Sequence, residues 1–309
     1  MMAPPTTIKN IGGGAYGSVD LVEINGTQCA AKTIYNALIG GAGQEYVSSS
    51  QRKPMQEKFQ EECLLISQMR HPNIVQFMGV YCNDQQGLNI VLLMEYLPID
   101  LHKCLETSKS RNFTIPVPMK LSVLIDVCNG LLHIHKVPIL HRDLTARNVL
   151  LTHHMKAKIS DFGSSKVYDW SQKLTQAPGN IVYMPPEAKS ETPSYNTALD
   201  VFSFGVLTLF VGIQEFPRLP MNSVYIDIPR DVRERGEGEL YIRDQWISKM
   251  NEQHPLRYVI QQCLRYNPSR RPTVIELQKY LQELYNRLSV EVRDSAYEEM
   301  LAELGSMLL

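Results

Sequence analysis

The chain has 309 residues, 44% of them hydrophobic and 20% charged, enough to bury one large core or two smaller ones. A formal net charge of −1 with no basic stripe argues against a general nucleic-acid binder, which must neutralise phosphates. The six cysteines (Cys29, Cys63, Cys82, Cys104, Cys128, Cys263) lie far apart with no C-x-x-C pair, so they predict apolar filling in a reducing compartment rather than disulfides or a zinc site.

No apolar run follows Met1, which predicts no signal peptide. The longest apolar stretch, residues 201–213, is shorter than the ~20 residues needed to cross a bilayer and reads as a buried core helix. No membrane segment is expected in this chain, though one in a longer parent chain stays open. In chain order, SVDLVEI and TQCAAKTI flank Asn25-Gly26, two residues that tolerate the positive φ of a tight hairpin. Residues 36–53, rich in Gly and Ser, predict a loop, and Pro54 the first turn of the helix that follows. Phe59, Cys63 and Ile66 recur at helical spacing until His71-Pro72-Asn73 stops them. Two more strands, IVQFMGVYC and NIVLLMEYL, lead to Pro98. Beyond it the period becomes helical, with one long face from Leu121 to His135 and further helices at about 197–213, 255–265 and 273–287.

Four short stretches carry chemistry. Gly12, Gly14 and Gly17 precede Val19 at a spacing that lets backbone N–H groups approach phosphates, and Gly13 adds freedom. Strand follows them where a dinucleotide fold would need a helix. Lys32 ends CAAK on a strand. Beside phosphates it would act as a point charge and need a carboxylate to hold it; Glu62 is the candidate, with Glu61 and Glu57 as rivals on the same helix. In HRDLTARN, Asp143 can orient or deprotonate a hydroxyl and Asn148 can offer an amide oxygen to a metal, while His141 reads as a packed residue. Asp161-Phe162-Gly163 follows a strand: the carboxylate suits Mg²⁺ with phosphates as further ligands, Phe162 suits the core, and Gly163 lets the chain turn.

Together these stretches resemble the eukaryotic protein kinase family over roughly residues 8–285, with Pro185-Pro186-Glu187 in the place of APE. The resemblance implies an α+β, bilobal fold. A small antiparallel sheet with one main helix would occupy 1–97, a larger helical lobe 98–285, and a helical extension 286–309. It implies ATP and Mg²⁺, with Lys32 on the α- and β-phosphates, Asn148 and Asp161 on the metal, and Asp143 positioning the acceptor hydroxyl. Ile11, Val19 and Ala30 would cover the adenine, with Leu150 below. The backbone of Glu95 and Leu97 would bond it, and Met94 would guard the pocket behind. Asp200 would anchor the catalytic loop. Arg271 would pair with Glu187, a buried pair whose loss should cost on the order of 3–5 kcal/mol.

Kinases of Ser and Thr usually carry a Lys two residues after the catalytic Asp. Here Thr145 stands there and Arg147 supplies the charge, which favours tyrosine. Tyr183 and Asn180 fit neither pattern fully, so the tyrosine-kinase-like group, mostly Ser/Thr-specific, is the rival. Arg142 would receive a phosphate on the activation loop, with Tyr168 and Thr175 as candidate acceptors. A scaffold that has lost its chemistry, and a small-molecule phosphotransferase, are the remaining alternatives. The resemblance implies a protein substrate and an intracellular, cytoplasmic location, either alone or as the cytosolic part of a larger chain. Val292, Ala296, Met300, Leu304 and Leu308 form an apolar stripe that would pack on the same domain or offer a partner or dimer contact.

Overall fold

Asn25 (φ 51°) and Gly26 (φ 77°) turn the chain between β2 (Gly17–Ile24) and β3 (Thr27–Ile34), the positive φ values that the sequence predicts for this hairpin. The computed structural model describes residues 5–14, 17–34, 49–82, 90–137, 139–167, 181–189, 196–215 and 247–308. The chain divides into two compact units, residues 1–98 with 160–163, and residues 99–159 with 164–309.

In the first unit β1 (Thr6–Gly14), β2, β3, β4 (Phe77–Cys82) and β5 (Ile90–Glu95) form an antiparallel sheet in the order β1-β2-β3-β5-β4. Side chains alternate across a strand, so the register sorts them into two sets. Val22, Cys29, Ala31, Val91 and Leu93 make one apolar face, extended by Ile24 and Tyr81. The alternate positions, Leu21 opposite Ala30, Ala30 opposite Met94, and Lys32 opposite Leu92, belong to the other face. Helix α1 (Ser49–Gln68) buries Phe59, Cys63 and Ile66, at the helical spacing the sequence shows. It begins five residues before Pro54, so the proline falls in the second turn rather than the first. The rest of the predicted 36–53 loop, up to residue 48, lies outside the described residues.

The second unit is mostly helical: α2 (Leu101–Ser110), α3 (Val117–Lys136), α4 (Ala198–Ile213), α5 (Arg257–Cys263), α6 (Val274–Asn286) and α7 (Val290–Leu308). Asp100 caps α2 by accepting from the Lys103 N–H at 2.8 Å. Thr273 and Glu276 close a capping box on α6. Short strands β6 (Ile99–Asp100), β8 (Val149–Leu151) and β9 (Ala157–Ile159) pair in that order, and β7 (Ile139–Leu140) pairs with β10 (Lys166–Val167). Among the described residues the fold is thus α+β, with an antiparallel sheet and one helix in its first part and helices dominating its second, as expected.

Helix α3 is the spine of this unit and packs against α6, α7 and β9. By length and composition it is apolar enough to cross a membrane, but 72% of that stretch is buried inside the structure, the burial of a core helix. The apolar stripe of α7 is spent inside the unit as well. Ala296, Met300 and Leu304 are buried, and α7 packs on α3 and α2. Arg111, just after α2, holds its far end through Glu303 at 3.2 Å and the Ser306 carbonyl at 2.9 Å. Leu308 is half-buried, and Val292 at the near end stays exposed. The dimer contact drawn from this stripe finds no support, because its central residues already have a partner in α3.

Candidate active site

Lys32 sits in the first unit between two carboxylates. Its Nζ lies 2.6 Å from Glu62 Oε1 and 2.8 Å from Asp161 Oδ1. Of the three acidic residues in question on α1, Glu62 is the buried one, and Glu61 and Glu57 face solvent. Burial works against the ammonium, but Asp161 and then Glu62 outweigh it and hold the Lys32 pKa above its usual value. Burial raises the pKa of Glu62, which Lys32 opposes and the Asp161 charge reinforces. Asp161 itself has φ 62°, a strained value for a residue with a side chain and one that clusters at working sites. Phe162 is buried to 1% exposure. At Gly163 a Cβ would approach Glu62 Oε2 to 3.1 Å and Asp161 Oδ1 to 3.2 Å, so a glycine lets the two carboxylates crowd this turn.

The loop after β7 belongs to the second unit. Asn148 Nδ2 donates to the Asp143 carbonyl at 2.8 Å and to Asp143 Oδ2 at 3.0 Å, fixing both side chains. Because the amide nitrogen points at Asp143, the amide oxygen is the atom Asn148 would offer a cation. Arg142 is buried and strained (φ 68°), and His141 is fully buried. Asp200 of α4 holds this bend from beneath. Its carboxylate accepts from the N–H groups of His141 (3.0 Å) and Arg142 (2.9 Å) and bonds His135 Nε2 (2.8 Å). Burial alone would raise the Asp200 pKa, but the bond and charge of His135 outweigh it and hold the carboxyl below its usual range. Arg271, with no side-chain exposure, forks onto Glu187 at 2.5 and 2.8 Å and lies over the Phe202 ring.

A model of the family described as protein tyrosine and serine/threonine kinase matches residues 6–281. The chain belongs to the protein kinase family. Among its relatives, a probable serine/threonine-protein kinase of Dictyostelium discoideum is 29% identical over 287 residues, 91% of this chain and 25% of the relative. A dual specificity protein kinase of the same organism is 29% identical over 310 residues, 91% of this chain and 36% of the relative. A serine/threonine/tyrosine-protein kinase of Arabidopsis thaliana is 27% identical over 247 residues, 74% of this chain and 56% of the relative. The chain therefore spans less than half the length of these Dictyostelium kinases. Helix α7 lies beyond the matched kinase residues.

Within this kinase domain Gly12 pairs with Val19 and Gly14 with Gly17 across β1 and β2, and Ile11 is exposed. Ala30, Met94 and Leu97 are buried in the first unit. The Glu95 N–H donates to the Gln76 carbonyl at 3.0 Å. Leu150 is half-buried on β8 and Arg147 is exposed. Tyr168 and Thr175 lie outside the described residues.

The donor set suits Mg²⁺ rather than a transition metal. Among the described residues no three His, Cys, Asp or Glu side chains gather as a metal cluster. Mg²⁺ needs only one or two protein oxygens when substrate phosphates supply others. Lys32, Glu62 and Asp161 also sum to one negative charge, which favours a cation. Two residues were not legible in advance. Tyr183 accepts the Ala146 N–H at 3.2 Å through its hydroxyl and sets its ring edge-on to Phe210, bracing the catalytic loop. His135, which the periodicity assigns to an apolar face, instead bonds Asp200. Their partners are 37 and 65 residues away, so no local pattern announces them.

Proposed function

We propose that this chain is the catalytic domain of an ATP-dependent protein kinase. The observation that carries the reading is Lys32 held between Glu62 and Asp161, an arrangement that leaves a fixed cation beside a carboxylate suited to a metal. Lys32 would hold the α- and β-phosphates of the substrate ATP under the backbone of Gly12, Gly14 and Gly17. Asn148 and Asp161 would hold Mg²⁺, which when bound offsets the charge on the transferring phosphoryl group. Asp143, kept in place by Asn148, would orient the acceptor hydroxyl and take its proton. The new oxygen–phosphorus bond forms as the bond to ADP breaks. Residues 1–97 and 98–285 would serve as the two lobes. The six free thiols and the use of ATP support a cytoplasmic setting, in which the domain works within a longer chain.

For the acceptor we favour Ser and Thr. The relatives' names support this, since most of those named are serine/threonine kinases. So does Tyr183, which occupies the place of the tryptophan usual in tyrosine kinases. Tyrosine remains a second activity, favoured by Thr145 in place of the lysine and by Arg147, and the dual-specificity relatives support it. The test is labelled ATP with Mg²⁺ and peptides offering Ser, Thr and Tyr, with the labelled residue identified. Asp143→Asn should lower kcat about 10²–10⁴-fold while ATP still binds. Label only on tyrosine would overturn the Ser/Thr preference, and ATP binding with no transfer from the wild-type chain would overturn the kinase reading.

A further inference from the structure

Arg147 is an exposed cation on the loop that carries Asp143 and Asn148, yet one end of it is held. Its Nη2 lies 3.3 Å from Nε2 of His102 on α2. The other ring nitrogen of His102, Nδ1, lies 3.3 Å from Oε2 of Glu106, one helical turn further along. A guanidinium has only donors. Its approach to Nε2 is a hydrogen bond only if that nitrogen presents a lone pair, which places the imidazole proton on Nδ1, facing Glu106. One tautomer therefore satisfies Arg147, His102 and Glu106 in a line. Burial and then the Arg147 cation lower the His102 pKa, against the pull of Glu106 and Asp100, so the ring stays in the neutral form that this line needs. The helix that presents His102 is itself fixed, capped by Asp100 and seated on buried Leu101, Cys104 and Leu105.

We propose that His102, oriented by Glu106, is a positioning residue that fixes the Arg147 guanidinium at the catalytic loop and so sets the preference between acceptor hydroxyls. The proposal rests on the kinase reading, in which Thr145 leaves the lysine position empty of charge and Arg147 supplies the cation. A loose arginine would lose its rotamer freedom each time an acceptor arrived, whereas one already held by His102 has lost it in folding. The contact therefore acts on the acceptor step and not on ATP.

Two measurements on the whole chain separate this proposal from the reading beneath it. In steady-state kinetics with Ser/Thr and Tyr peptides, His102→Ala should lower kcat/KM for the better acceptor about 10-fold and change the ratio between the two. The KM for ATP should stay within about twofold of wild type. His102→Gln, which keeps an acceptor atom, should recover most of the loss. In an Arg147→Ala background, His102→Ala should add nothing, because the two act as a unit. In ¹⁵N NMR of histidine-labelled protein, with the His102 signal assigned from the His102→Gln spectrum, the ring should carry its proton on Nδ1, and its Nε2 resonance should shift in Arg147→Ala as the guanidinium's hydrogen bond is lost while Glu106 keeps the Nδ1 proton in place. A wild-type ring with its proton on Nε2, or an Nε2 resonance unmoved in Arg147→Ala, overturns the proposal whatever the activity, and so do additive kinetic effects. If the Nε2 resonance answers to Arg147 but the wild-type chain transfers no phosphate, the contact stands and the kinase reading falls.

Discussion

Lys120 is a buried lysine that the proposed chemistry does not use. Its Nζ donates to the Gly212 carbonyl, near the C-terminal end of α4, at 3.0 Å, and among the described residues no carboxylate pairs with it. That carbonyl end of a helix favours a cation. Burial nevertheless lowers the Lys120 pKa to about 8 from its ordinary 10.5. Below pH 8 both the folded and the unfolded chains carry the charge, and the folded state bears the full burial penalty. Between about 8 and 10.5 the folded state sheds the proton first, so the unfolded chain binds more protons and stability rises with pH. The rise should be on the order of 3 kcal/mol, read by denaturant unfolding across that window. Lys120→Met should remove the rise and be neutral to stabilising at pH 7, since a buried apolar chain replaces a poorly compensated charge. A pH profile that Lys120→Met leaves unchanged would count against this account.

Among the elements, α7 is bound to the rest of its unit in two different ways, and the two should respond differently to mutation. Met300 is fully buried where α7 packs, so Met300→Ala should cost about 2–5 kcal/mol through lost contacts and the cavity left behind. Arg111 meets Glu303 at a part-exposed site, so Arg111→Ala should cost only about 0–1 kcal/mol. Thermal melts of the two variants decide this, and equal losses would mean that the polar clamp holds α7 as firmly as its apolar face does. The elements themselves were largely legible. The predicted helices at 197–213, 255–265 and 273–287 are seen as Ala198–Ile213, Arg257–Cys263 and Val274–Asn286. The last of them starts at a capping box, Thr273 with Glu276, that the sequence marks. The start of α1 was not legible, because Ser49 to Lys53 carry no apolar period and Pro54 looks like a first-turn residue. Lys32, Asp143, Asn148 and Asp161 were legible because each lies in a short stretch with its own spacing, whereas Glu62 had Glu61 and Glu57 as rivals until its contact with Lys32 separated it from them. His102, His135 and Tyr183 were not, since each acts through a partner that only the fold brings near.

At the scale of the whole molecule the question is how ATP binding registers in stability. Lys32 brings one positive charge to Glu62 and Asp161, which bring two negative ones. A triphosphate arriving without a cation meets one uncompensated carboxylate, whereas a triphosphate with Mg²⁺ meets the partner that carboxylate lacks. ATP with Mg²⁺ should therefore raise the melting temperature more than ATP in the presence of a chelator. At a ligand concentration 100 times Kd the gain should be about 2.7 kcal/mol. For a chain of this size that corresponds to about 4 °C. Asp161→Asn makes the three groups neutral overall, so metal-free ATP should then bind as well as or better than it does to the wild type, and the difference between Mg²⁺ and chelator should shrink. Glu62→Gln removes the same unit of charge but also frees Lys32 on one side. It should likewise relieve the repulsion, yet leave more of the Mg²⁺ response, because Asp161 is the carboxylate proposed to meet the metal. Differential scanning fluorimetry of the three proteins, each with ATP plus Mg²⁺ and ATP plus chelator, separates these cases. An Asp161→Asn protein with an undiminished Mg²⁺ response would place the metal on other oxygens.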